Sequence, residues 1–128
     1  MQLTQQSTPA PAQNLPAGDN MVITGHMGDC VSAIVLWNQD GNGRYQNVRG
    51  YHGAGGFQAI NLPSLFNGVP NAAGTRIIGF FTPQALSSND LQRFEDYCTA
   101  HFPNTGWIVA QGGTNYRVDR TGAWVVQQ

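Results

Sequence analysis

The run Val31-Ser32-Ala33-Ile34-Val35-Leu36-Trp37 constrains this chain most. It is short, rich in β-branched residues and almost unbroken in apolar character, which marks a buried strand rather than a helix. Asp40-Gly41-Asn42-Gly43 follows and is a strong turn signal. Arg44 to Tyr51 alternates loosely and is expected to return as an antiparallel partner. A hairpin brings its open ends together. Cys30, just before the first strand, and His52, just after the second, therefore fall at the same end.

The rest of the chain reads as an α+β domain. Met21 to Thr24, Arg76 to Phe81 and Trp107 to Ala110 read as strands. Asn115 to Val118 and Ala123 to Val126 read as a second hairpin across Asp119-Arg120-Thr121-Gly122, after a bend at Gly112-Gly113. Pro63 at a first helical position after Asn61 signals a short helical turn to Phe66. Ser88 or Asn89 caps a helix to about His101, with Leu91, Phe94, Tyr97 and Cys98 on one face. The expected architecture is a mixed, mostly antiparallel sheet, sandwich-like, packed with one main helix. Residues 1–19 end in Pro16-Ala17-Gly18-Asp19 and are rich in Gln, Thr, Ala and Pro. They lack the basic and apolar regions of a signal peptide and read as a flexible leader or linker. Residues 20–128 form the single domain.

Composition excludes some classes of function. Charged residues make up 10% of the chain and the net charge is −1, which leaves no basic face for nucleic acid. No apolar run is long enough to span a bilayer. All six basic residues are arginine, so lysine chemistry is absent. A lysine-free chain fits either drift in a GC-rich genome or work in a eukaryotic cytosol, where lysine is the ubiquitin acceptor. Two cysteines do not make a disulfide framework. Cys98, on the expected helix, reads as a buried small hydrophobe.

Cys30 has the context of a nucleophile. It follows the glycine-bearing turn Thr24-Gly25-His26-Met27-Gly28-Asp29 and precedes the apolar strand. An imidazole within reach lowers a thiol pKa and carries the proton. His52, inside Gly50-Tyr51-His52-Gly53-Ala54-Gly55-Gly56, is the first choice for that base and His26 the second. Thr24, through its hydroxyl or its carbonyl, is placed to orient the imidazole. His101 reads as a partner of the helix dipole, and the three tryptophans as packing residues.

Three features together are similar to the CheD-type glutamine deamidases, whose fold is shared with the cytotoxic-necrotizing-factor toxins. They are Thr24, Gly28 and Cys30 leading into an apolar strand, His52 on the following strand, and the ending Gly112-Gly113, Tyr116-Arg117-Val118-Asp119, Thr121-Gly122 and Trp124-Val125-Val126. The resemblance spans about residues 20–128. It implies a Cys30 thiolate that attacks the carboxamide of a glutamine side chain on a protein substrate. It implies backbone donors around Gly28, Asp29 and Val31 for the oxyanion, His52 as the proton donor to ammonia, and a thioester that water converts to glutamate or an amine converts to a transglutamination product. Neither a metal nor an organic cofactor is required. Asp29 departs from the small residue that usually precedes the nucleophile, and its carboxylate opposes the thiolate unless it turns away. This departure and the absence of lysine point to a bacterial effector secreted or translocated into a target cell, with the bacterial cytoplasm as the alternative location.

Two other readings stand beside this one. Asp29-Cys30-Val31-Ser32 is similar to the nucleophile segment of NlpC/P60-type cysteine peptidases, which requires Val31 to Trp37 to be helical. A catalytically inactive protein-binding module on the same fold is the third.

Overall fold

The computed structural model describes residues 1–127. In chain order the strands are β1 (Gln5–Gln6), β2 (Gln13–Asn14), β3 (Met21–Ile23), β4 (Val31–Gln39), β5 (Tyr45–Gly53), β6 (Arg76–Phe80), β7 (Gly106–Ala110), β8 (Tyr116–Asp119) and β9 (Trp124–Val126). The helices are α1 (Leu62–Leu65), α2 (Pro83–Leu86) and α3 (Asp90–His101), with a 3-10 turn at Phe57–Ala59. The fold is α+β, built on one mixed six-stranded sheet and one three-stranded sheet.

The large sheet runs β1-β5-β4-β6-β7, with β2 also paired to β5. β4 is antiparallel to both β5 and β6, and β6 is parallel to β7. That parallel step needs a crossover, which α2 and α3 supply. The small sheet runs β3-β8-β9, antiparallel throughout.

Alternation along β4 explains why its sequence is apolar on both faces. Val31, Ala33 and Val35 pack on one side with Phe94 and Cys98 of α3. Cys30, Ile34 and Leu36 pack on the other with Val22, Tyr116 and Val118 of the small sheet. A strand covered on both faces loses its polar alternation. The large sheet is thus the middle layer between α3 and the three-stranded sheet.

The N-terminal residues differ from the flexible leader expected from composition. The amino group of Met1 donates to the Met21 carbonyl at 3.0 Å, and Leu3 N–H donates to the Ile23 carbonyl at 2.8 Å. Further on, Gln5 pairs with His52 and Gln6 with Gly53. Residues 1–6 therefore bridge β3 of one sheet and β5 of the other. Leu3 and Leu15 are buried in the core between the sheets. Gly50 makes room for this: a Cβ there would sit 2.9 Å from the Leu3 methyls. The segment is polar because it covers a sheet edge with its backbone and needs only a few apolar anchors.

Other differences are local. α2 follows Thr82, where the sequence suggested only the end of a strand. Asn89 occupies the cap position of α3 without a side-chain capping bond. Ser88 Oγ accepts from Asp90 N–H at 3.1 Å instead. The region also has no helix long and apolar enough to cross a membrane, among the described residues.

Candidate active site

Strand register brings Cys30 and His52 to the same end of the β4–β5 hairpin. Ser32 lies directly opposite His52, and Val31 opposite Gly53. Side chains two apart on a strand share a face, and opposite residues share it too. Cys30, Ser32 and His52 therefore project from one face, the face that meets the small sheet. Cys30 is 5% exposed and His52 2% exposed. His52 belongs to β5 itself rather than to the glycine turn expected from sequence, because β5 extends to Gly53.

The histidine is held at one nitrogen and bare at the other. His52 Nδ1 lies 2.8 Å from the Thr24 carbonyl. A carbonyl only accepts, so Nδ1 carries the hydrogen and neutral His52 presents a lone pair at Nε2. Nε2 is buried and has no hydrogen-bond partner among the described residues. A buried polar atom without a protein partner is costly, and in a native fold it is accounted for by strain, a bound water or ion, or a catalytic role. Burial also lowers the His52 pKa below that of a free imidazole, with the Thr24 bond opposing this in part. The ring is accordingly neutral near pH 7, as a base must be.

Thr24 orients His52 through its main chain, not its hydroxyl. The hydroxyl donates to the Gly25 carbonyl at 2.9 Å and accepts from Tyr116 N–H at 3.0 Å. It thereby ties the turn to β8. Gly25 has φ +83°, and a Cβ there would lie 3.7 Å from His52 Nδ1 and 3.2 Å from Gln2 Nε2. Glycine allows this left-handed bend and lets the Thr24 carbonyl face the ring.

The remaining candidates sort by exposure. Asp29 and Gly28 are exposed, and Val31 is fully buried. The N–H groups of Asp29 and Cys30 donate to no protein acceptor among the described residues. The Gly28 carbonyl accepts from Thr82 Oγ1 at 2.5 Å. Thr82 Oγ1 also accepts from Ala85 N–H at 3.2 Å, so one hydroxyl caps α2 and clamps the turn before Cys30. His26 is exposed, with Nδ1 3.4 Å from Thr114 Oγ1. His101 packs against Tyr97 in the last turn of α3, with ring centroids 4.5 Å apart and the rings tilted by 41°. Burial, with Glu95 nearby, pushes the Cys98 thiol up to about 12. The peptidase reading requires Cys30 to open a helix, whereas Val31–Gln39 is a strand.

Sequence reasoning passed over Ser32, Thr82 and Gly25. Ser32 is fully buried opposite His52, and its hydroxyl donates to Met27 Sδ at 3.0 Å. One polar residue inside an apolar run was its signal. Thr82-Pro83 carries the cap-then-proline signature of a helix start.

No protein-family model matches this chain, and neither the curated proteins nor the solved structures contain a match.

Proposed function

We propose that the chain is a cysteine-dependent protein glutamine deamidase, with Cys30 as nucleophile and His52 as base. The observation that carries this reading is the buried, partnerless His52 Nε2 on the same sheet face as Cys30, with Nδ1 tied to the Thr24 carbonyl. The choice of glutamine as substrate rests on the resemblance to CheD-type deamidases. The lysine-free composition supports an effector that acts on a host protein.

In this mechanism His52 Nε2 takes the Cys30 proton. The thiolate attacks the carboxamide carbon, and the oxyanion meets the free N–H groups of Asp29 and Cys30. His52 returns its proton to the departing nitrogen, and ammonia leaves a thioester. Water, deprotonated by His52, hydrolyses the thioester to glutamate and restores the thiol. The exposed position of Asp29 lets its carboxylate stay in water, where it is screened from the thiolate.

The test is the pH dependence of Cys30 alkylation in the native chain and in His52→Ala, both with Cys98→Ser. A thiol pKa that rises when His52 is removed supports the dyad. Glutamine-bearing proteins are then screened for the mass gain of an amide-to-acid conversion. Slow alkylation that is identical in both chains overturns the enzyme reading and leaves the binding module.

A further inference from the structure

A cavity of about 460 Å³ lies on the other face of β5, between the N-terminal segment and α1. Its lining includes Asn14, Arg49, Asn61, Ser64 and Asn67, with Pro11 and Pro63 as apolar walls. Arg49 and His52 are an odd number of residues apart on one strand and point to opposite faces. The cavity is therefore separate from Cys30.

Arg49 is held rigidly. Its guanidinium lies 4.9 Å from the centre of the Trp37 ring. Nε donates to Asn14 Oδ1 at 2.8 Å. Nη1 donates to the carbonyls of Ser64, Leu65 and Asn67 at 3.2, 3.0 and 2.8 Å. Nη2 has no partner, and no carboxylate pairs with Arg49, among the described residues. Arg120 provides the contrast. It is 5% exposed, and all three of its nitrogens are spent on main-chain carbonyls. Arg120 is a structural cross-link, whereas Arg49 lines the cavity with one nitrogen of its fork unspent among the described residues.

The other lining groups share one polarity. Asn14 Oδ1 is spent on Arg49, which leaves its amide N–H groups. Ser64 Oγ accepts from Ala12 N–H at 2.9 Å, which leaves its hydroxyl hydrogen. Asn61 is spent at both ends: it donates to Pro9 and Ala10 and accepts from Ser64. The Asn67 side chain is exposed and unbonded among the described residues. The groups left over around a fixed cation are thus mainly donors, which call for a ligand that presents acceptors and negative charge.

We infer that this cavity binds a small organic carboxylate, with Arg49 Nη2 as its anchor and Ser64 Oγ and Asn14 Nδ2 as flanking donors. One uncompensated cation matches one negative charge. A carboxylate is planar and needs two or three donors, as offered here. The volume exceeds that of a bare carboxylate, and the two prolines leave room for a short carbon chain.

The test is an NMR titration of the full chain with acetate, succinate and inorganic phosphate, read at the Arg49 Nε–H and the Asn14 and Asn67 side-chain amides. Saturable shifts at these groups with the carboxylates are expected. Asn14→Asp keeps the acceptor for Arg49 Nε and neutralises the cation. It should weaken binding at least about tenfold, the scale of one charge-assisted hydrogen bond. Asn67→Asp adds a negative charge at the exposed rim and should weaken binding even if the first variant fails to fold. Absence of saturable shifts, or carboxylate affinity unchanged in a folded variant, overturns the site. Phosphate bound more tightly than either carboxylate overturns the ligand class.

Discussion

The Thr24 carbonyl accepts the Nδ1 hydrogen of His52 at 2.8 Å, across 28 residues of chain. Because the acceptor is a main-chain oxygen, the identity of residue 24 matters to His52 only through the path of the backbone. Thr24→Val retains the carbonyl but removes the hydroxyl bond to Tyr116 N–H. That loss should cost about 1–3 kcal/mol of stability. Urea unfolding measures it, while Cys30 alkylation by the folded variant should keep its dependence on His52. If that dependence disappears, the hydroxyl and not the carbonyl orients the ring.

His52 also sets a pH dependence of stability. Its folded pKa lies below the free value of about 6.5, so the unfolded chain binds the proton first as pH falls. Stability is fully present above the unfolded pKa and is lost as pH falls from there through the folded pKa. The slope is at most about 1.4 kcal/mol per pH unit, the limit for one proton. His52→Gln should flatten the loss between neutral and mildly acid pH in urea melts. The depressed pKa of partly exposed Asp40 acts only below its own unfolded value of 3.8, so the two windows are distinct.

Gly25→Ala places a β-carbon against Gln2 and close to His52, at a φ of +83°. The left-handed conformation alone should cost about 1–2 kcal/mol. The melting temperature should fall, and the His52-dependent component of Cys30 reactivity should fall with it. A fully reactive Gly25→Ala protein would show that the bend can shift without moving the imidazole.

Leu3→Ala should destabilise the fold by about 2–5 kcal/mol, as for other buried leucines. Leu3 is 2% exposed and seated on Gly50. A flexible leader would tolerate the change without cost, so denaturant unfolding separates the two descriptions directly.

Cys98 should resist alkylation at pH 8 in the folded chain, since burial and a pKa near 12 keep it protonated. Peptide mapping after native labelling should find the label on Cys30 alone. Label on Cys98 without denaturant would mean that α3 opens locally.

Much of the fold was legible because its signals are local. The Val31–Trp37 run, the Asp40–Gly43 turn and the apolar face of α3 each declare an element within a few residues. Hairpin geometry then carried Cys30 and His52 to the same end of the sheet. Residues 1–19 read as flexible from composition alone, whereas their order comes from pairing with distant strands, and composition does not register a backbone bond. Ser32 and Thr82 carry local signals, a polar residue in an apolar run and a cap before proline, but their partners Met27 and Gly28 are fixed only by tertiary packing.

The sequence by itself determined the main strands, the long helix and the placement of a cysteine and a histidine at one hairpin end, because periodicity and turn chemistry are properties of neighbouring residues. Only the tertiary structure decided that Thr24 acts through its carbonyl, that His52 Nε2 is left bare and that Arg49 keeps a free arm. Those are matters of which hydrogen-bonding groups remain unspent, and that is settled only when distant segments pack and satisfy all the others.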